Sequence, residues 1–158
     1  VLDGGLTPFV EAYLRSAEIA SSGMQSGHAS LHILFILTNQ RLALNAVARG
    51  RRGEALEFAG DALHAGENPP QGSGPLRALP RGLSAMGLTY AALMQSPLRV
   101  PSDRNDALSW LGKSMDAWRA TQSEPGFGEP HRREMQEVEA ALARAQSPAT
   151  ARITPRSR

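Results

Sequence analysis

Two histidines, His28 and His32, stand four residues apart. On a helix that spacing puts both imidazoles on one face, where such a pair can hold zinc. The intervening Ala29-Ser30-Leu31 supplies no glutamate to act as a general base, and no third ligand is evident. Packing or capping is therefore the expected role of the pair, and of His64 and His131 near other helix ends. The chain has no cysteine, which excludes thiolate nucleophiles, disulfides, iron–sulfur centres and Cys-ligated zinc. Gly72-Ser73-Gly74 and Gly126-Phe127-Gly128 are too short for phosphate loops, and neither follows a strand pattern. Both read as turns. No catalytic residue, metal ligand or cofactor is expected.

Basic residues are the other chemistry on offer. Arg49, Arg51 and Arg52 form a tight cluster that could meet phosphate or nucleic acid. Glu54 and Glu57 follow directly and no aromatic residue interleaves, so a solvated turn is the leading expectation. The net charge of +2 and a pI near 9.7 look basic, yet every cationic side chain except Lys113 is Arg. With few groups titrating near pH 9–10, a small excess of Arg carries the pI upward. Arg152, Arg156 and Arg158 sit in the last seven residues, and without them the remainder carries one net negative charge. A nucleic-acid role would use the Arg49–Arg52 turn and this tail. It is the alternative reading, and no nucleic acid is expected as partner.

The elements that must carry these residues read as helices. Ala and Leu dominate, β-branched residues are sparse, and no stretch alternates with period two. Helices are expected at about 7–22, 29–49, 53–65, 80–95, 103–122 and 130–146. Thr7-Pro8 would start the first, Gly50 would end the second and Gly66 the third, and Ser102 or Asp103 would cap the fifth. Glu67–Gly74 (ENPPQGSG) is the clearest linker. The predicted class is all-α, with one domain over 1–146 and a disordered basic tail at 147–158. At 158 residues the chain is too short for a kinase, a polymerase or a TIM barrel. Its most apolar run, Ile33–Leu37, is far below the ~18 residues that a membrane span requires. No secretory signal is visible, so a cytoplasmic location is expected. A start at Val1 instead of Met raises the expectation of a processed chain or a fragment.

The helices also repeat. Val10, Leu14 and Ala17 have the four-then-three spacing of Ala55, Ala59 and Ala62, and Ala107, Leu111 and Ser114 show it again. Leu42-Ala43-x-x-Ala46 matches Met86-Gly87-x-x-Tyr90. Small residues at such positions let helix backbones approach, while a Leu or Tyr beside them fills the groove. The pattern resembles the tetratricopeptide repeat (TPR): Leu42-Ala43 and Met86-Gly87 stand at its Leu-Gly, Tyr90 at its Tyr, and Ala55 and Ala107 at its Ala. The period is about 44 residues where the family has about 34, and Asn39 or Leu83 replaces its Trp. The resemblance implies antiparallel hairpins stacked as a short solenoid. Leu42, Ala43, Ala55, Ala62, Gly87, Tyr90, Ala107 and Leu111 are its expected packing residues, with Trp110 and Trp118 as core anchors.

Gly82-Leu83-Ser84-x2-Gly87-x2-Tyr90 is followed by Ser109-Trp110-Leu111-x-Lys113-Ser114-Met115-Asp116-x-Trp118 and then by a strongly charged helix. This run resembles the extreme C-terminus of bacterial TPR arrays that follow serine/threonine kinase domains. It implies a non-catalytic scaffold module for protein–protein interaction in a larger bacterial signalling protein. Arg132, Arg133 and Arg144 alternate with Glu134, Glu137 and Glu139 on the last helix, which is expected to act as a charged capping helix with pairs such as Glu129–Arg133. The resemblance places Gln40, Leu44, Val47, Ser84, Leu88 and Ala91 on a concave surface. These are mostly apolar or small, so the expected occupant is an apolar peptide or helix of a protein partner.

Overall fold

The computed structural model describes residues 25–71 and 77–148. They form five helices with no strand among them: α1 (Gln25–Ala48), α2 (Arg52–Glu67), α3 (Ala78–Met94), α4 (Asp103–Thr121) and α5 (Glu129–Gln146). The helix expected at 7–22, the Gly72–Gly74 turn and the tail beyond residue 148 lie outside the described residues.

Each helix takes its buried face from the 3.6-residue period. On α1 the buried set is Ile36, Asn39, Leu42, Ala43, Ala46 and Val47; on α4 it is Asp103, Ala107, Leu111, Ser114, Met115 and Trp118. The buried amide of Asn39 is satisfied by donating to the Phe35 carbonyl at 3.0 Å. Helix α1 begins four residues before the expected Ala29, running through Gly27. A glycine in a first turn costs only about 1 kcal/mol against Ala, and the N–H groups there have no intrahelical partner to lose. Its end follows expectation. Gly50 has φ +76°, its N–H reaches the Val47 carbonyl at 3.0 Å and the Arg51 N–H reaches Ala46 at 2.9 Å. That pair of bonds is a Schellman stop.

Gly66 does something other than end a helix. α2 runs on to Glu67, and α3 crosses it at this point. A Cβ on Gly66 would lie 2.7 Å from the Ala78 carbonyl oxygen, and one on Gly82 would lie 2.9 Å from that of Ala62. The crossing is backbone against backbone, flanked by Ala62, Ala65, Ala78 and Ala85, with Ile36 filling the space behind. Pro80 sits in the first turn of α3, where its missing N–H breaks no helical bond.

Helix α3 is central and touches all four others. The remaining contacts join α1 to α2 and α4 to α5; α1 meets α3, α3 meets α5, and α2 and α4 do not meet closely. The largest core cluster lies between α3, α4 and α5, with Leu111, Met115 and Trp118 packed on Leu88, Val138, Ala141 and Ala145. A smaller one joins Ala46, Val47, Ala55 and Leu93. Leu111 presses on Gly87, where a Cβ would be 2.7 Å from its Cδ2. Tyr90 is half-buried between the two clusters.

Trp110 corrects one expectation. It is only partly buried, outside the core, and Lys113 lies over its ring at 4.6 Å. One residue from Leu111 is a 100° rotation around the helix, which turns Trp110 off the buried face. Trp118 is fully buried.

Candidate interaction groove

A groove of about 800 Å³ runs between the odd-numbered helices. Leu34, Leu37 and Leu44 of α1 and Leu88 of α3 form its apolar lining, while Gln40, Arg41 and Asn45 of α1 and Glu134 and Glu137 of α5 supply its polar edge. Leu34 is 47% exposed, an unusual setting for a large aliphatic side chain beside other leucines. The groove continues into a recess of about 230 Å³ that shares Leu44, Leu88 and Glu137 and adds Ala91, Ala141 and Arg144. Beyond that, Met94, Gln95 and Arg144 pass into a depression of about 550 Å³ edged by Arg99 and Arg104.

Of the six residues assigned to a concave surface from sequence, Gln40, Leu44, Ser84 and Leu88 line the main groove and Ala91 lines the recess. Val47 does not. It is buried against Ala46, Ala55 and Leu93, because α2 folds back over this end of α1 after the Gly50 turn. Ser84 contributes little polarity to the groove, since its hydroxyl is already engaged. Ser84 Oγ donates to the Pro80 carbonyl at 2.7 Å, sits 2.8 Å from Ser114 Oγ and accepts from Trp118 Nε1 at 3.1 Å. Ser114 Oγ also lies 3.2 Å from the Pro80 oxygen. One indole, two hydroxyls and one carbonyl thus satisfy each other in the buried α3–α4 interface, which fixes α3 against α4 in orientation as well as distance.

Two charge pairs that the sequence pattern did not single out tie the helices together, one of them at the wall of the groove. Arg81 forks onto Glu134, with Nε to Oε2 and Nη2 to Oε1 both at 2.8 Å. This ties α5 to α3 and removes Glu134 from the exposed charged face expected of the last helix. Arg52 forks onto Asp103 at 2.8 and 2.6 Å, linking α2 to α4, which otherwise do not touch. Asp103 is 1% exposed and also accepts from the Val100 N–H at 2.7 Å. The Arg52 hydrogen bonds hold its carboxyl below the usual aspartate range against the opposing effect of burial, and Arg52 is raised in turn.

That pair also changes the basic turn. Arg52 is committed to Asp103 and to the Leu98 carbonyl at 3.3 Å, and Arg51 pairs with Glu54 at 3.3 Å. The cluster is therefore not three cations presented together to a phosphate. At the same end of α4, Arg104 donates to the Ala145 carbonyl at 3.0 Å and to those of Gln146 and Ser147, closing the end of α5.

Two of the histidines, His32 and His131, are engaged by backbone. His32 Nε2 lies 2.6 Å from the Ala65 carbonyl, so this nitrogen carries the proton and donates. His131 Nδ1 accepts from the Gly128 N–H at 3.0 Å and its ring lies near Phe127 and Trp118. Burial first, then Arg77 and Arg81, lower the His131 pKa. The side chain of His28 lies outside the described residues, among which no group of three His, Cys, Asp or Glu could hold a metal ion. No described helix is long and apolar enough to cross a membrane.

Neither a family model nor a curated protein nor a solved structure matches this chain.

Asp103 carried a usable signal, since an aspartate at a helix start invites a capping reading. Arg81 and Glu134 carried none. A basic and an acidic residue 53 positions apart are invisible as a pair until the helices pack.

Proposed function

We propose that this chain is a non-catalytic helical-hairpin module of the TPR kind that binds a partner protein segment in the groove between α1, α3 and α5. The observation that carries the reading is the groove itself: a leucine-lined channel with a polar edge, formed by alternate helices of the chain. In a stack of hairpins, the first helix of each pair neighbours the first helix of the next, and the contacts of α3 with α1 and α5 follow that order. The recurring small residues support it as well, because Gly87 packs directly on Leu111 and Ala107 is fully buried in the same α3–α4 cluster. The run Trp110-Leu111-x-Lys113-Ser114-Met115 and the charged α5 support a place near the end of such an array in a kinase-linked bacterial signalling protein.

The mechanism is burial of apolar side chains of an extended or helical segment against Leu34, Leu37, Leu44 and Leu88, oriented by hydrogen bonds from Gln40 and Asn45. Selection of peptides from a random library on the purified protein tests it. Enriched peptides carry apolar anchors and lose about tenfold or more in affinity against Leu34→Asp, an exposed position whose change leaves the fold intact. If the enriched peptides bind Leu34→Asp and Leu37→Asp as tightly as wild type, the groove is not the binding surface.

A further inference from the structure

The groove is electrostatically lopsided. Around the leucines both signs are present: Arg41 and Glu137 line the same channel, and Glu134 is paired with Arg81. At the far end, past Met94 and Gln95, the charged residues among the described lining are all cations. Arg99, Arg104 and Arg144 edge the depression without a carboxylate among its lining residues. Arg104 is occupied by the last carbonyls of α5, whereas neither Arg99 nor Arg144 forms an ion pair or side-chain hydrogen bond with any described residue. Two exposed arginines edging one depression with no ion partner among the described residues, at the mouth of an apolar channel, are complementary to an anionic continuation of whatever lies in that channel.

We infer that the groove recognises a protein segment of a particular chemistry: apolar anchor residues followed by Asp or Glu side chains that dock on Arg99 and Arg144. This rests on the groove being the binding surface and adds its specificity. The distance sets the register. From Leu88 to Gln95 helix α3 rises ~10 Å at 1.5 Å per residue, which an extended chain spans in about three residues. The acidic side chains therefore follow the last apolar anchor by about three positions. An acidic peptide is favoured over a nucleic acid because the cations continue a leucine-lined channel, and the described residues lining it include no aromatic side chain to stack a base.

Fluorescence anisotropy with two labelled peptides tests the inference. Both carry the same leucine anchors; one continues after three residues into aspartates and the other into lysines. The aspartate peptide binds wild-type protein about tenfold more tightly at low salt, and added salt shrinks the difference. The double variant Arg99→Glu/Arg144→Glu reverses the preference, while Arg132→Glu, at the other end of α5, leaves it unchanged. Equal binding of the two peptides, both weakened by Leu34→Asp, overturns the charge specificity and leaves the groove standing. Failure of both peptides to bind overturns the groove as well. A short oligothymidylate that displaces the aspartate peptide and outbinds it assigns the arginines to phosphate instead.

Discussion

The two faces of α3 solve the same packing problem in opposite ways. Towards α2 it presents Gly82, and the helices meet backbone to backbone through Gly66, with alanines around the crossing. Towards α4 it presents Ser84, Gly87 and Leu88, and meets Leu111, Ser114 and Trp118 through large side chains and a closed set of hydrogen bonds. The first interface depends on the absence of atoms throughout and tolerates no addition. The second has one such close approach, at Gly87 against Leu111, but is otherwise built from large side chains and hydrogen bonds and is most sensitive to their removal. Substitutions of opposite kind should therefore damage opposite sides of one helix.

The largest effect is expected at Trp118, which is fully buried. Trp118→Ala removes the biggest core side chain and leaves Ser84 without its indole donor, a loss of about 4 kcal/mol by chemical denaturation. Trp118→Phe keeps most of the volume and loses about 1–2 kcal/mol, which isolates the hydrogen bond. If Trp118→Phe is as stable as wild type, the indole hydrogen bond to Ser84 contributes nothing.

Next comes Gly82→Ala. Its methyl would sit 2.9–3.1 Å from the backbone of Ala62, Leu63 and Gly66, and backbone cannot rotate away as a side chain can. A loss of about 2–3 kcal/mol is expected, at the upper end for overpacking by one carbon. Gly60 on the same α2 has open space around its Cβ position, so Gly60→Ala should stabilise by about 0.5–1 kcal/mol through helix propensity. Like signs for the two variants would refute the close crossing.

A smaller, pH-dependent effect separates the charge pair from the core. The Asp103 pKa is lowered in the folded protein, so the Arg52 pair contributes its full stability above the unfolded value of 3.8 and loses it as pH falls from there through the folded pKa. Asp103→Asn should be less stable at neutral pH by about 2 kcal/mol and lack that acid-range loss. His131, also lowered, acts in a different window: stability declines as pH falls below 6.5 and levels off beneath its folded pKa. His131→Gln removes that decline. The smallest effect belongs to Arg51→Ala, whose exposed pair with Glu54 should be worth under ~0.5 kcal/mol.

Much of this organisation was legible in the residues, for a physical reason. Helix periodicity and glycine stops act over a few positions, so the all-α class, the turn at Gly50 and the buried stripe Ala107, Leu111, Ser114 could be read directly. Helix ends were less secure: Gly66 looks like a terminator, and only the approach of α3 explains why a glycine stands inside α2. The groove was partly legible too. Leu44 and Leu88 follow from projecting one helix face, while Val47 was lost to the core because the fold-back of α2 is not a property of α1 alone. Trp110 failed for a similar reason. A large aromatic residue attracts a core assignment, although its angular position places it beside Lys113.

By itself the sequence determined the helical class of the described residues, which face of most of those helices is apolar, and that no cysteine chemistry exists, because these depend on local spacing and composition. The tertiary structure decided the pairings: Arg52 with Asp103 across 51 residues, Arg81 with Glu134 across 53, Gly66 against Gly82, and Trp118 onto Ser84. It also decided which arginines lack a counter-charge at the end of the groove. Electrostatic and contact energies fall with distance in space, and a pattern along the chain records an angle on a helix without recording what that angle will face.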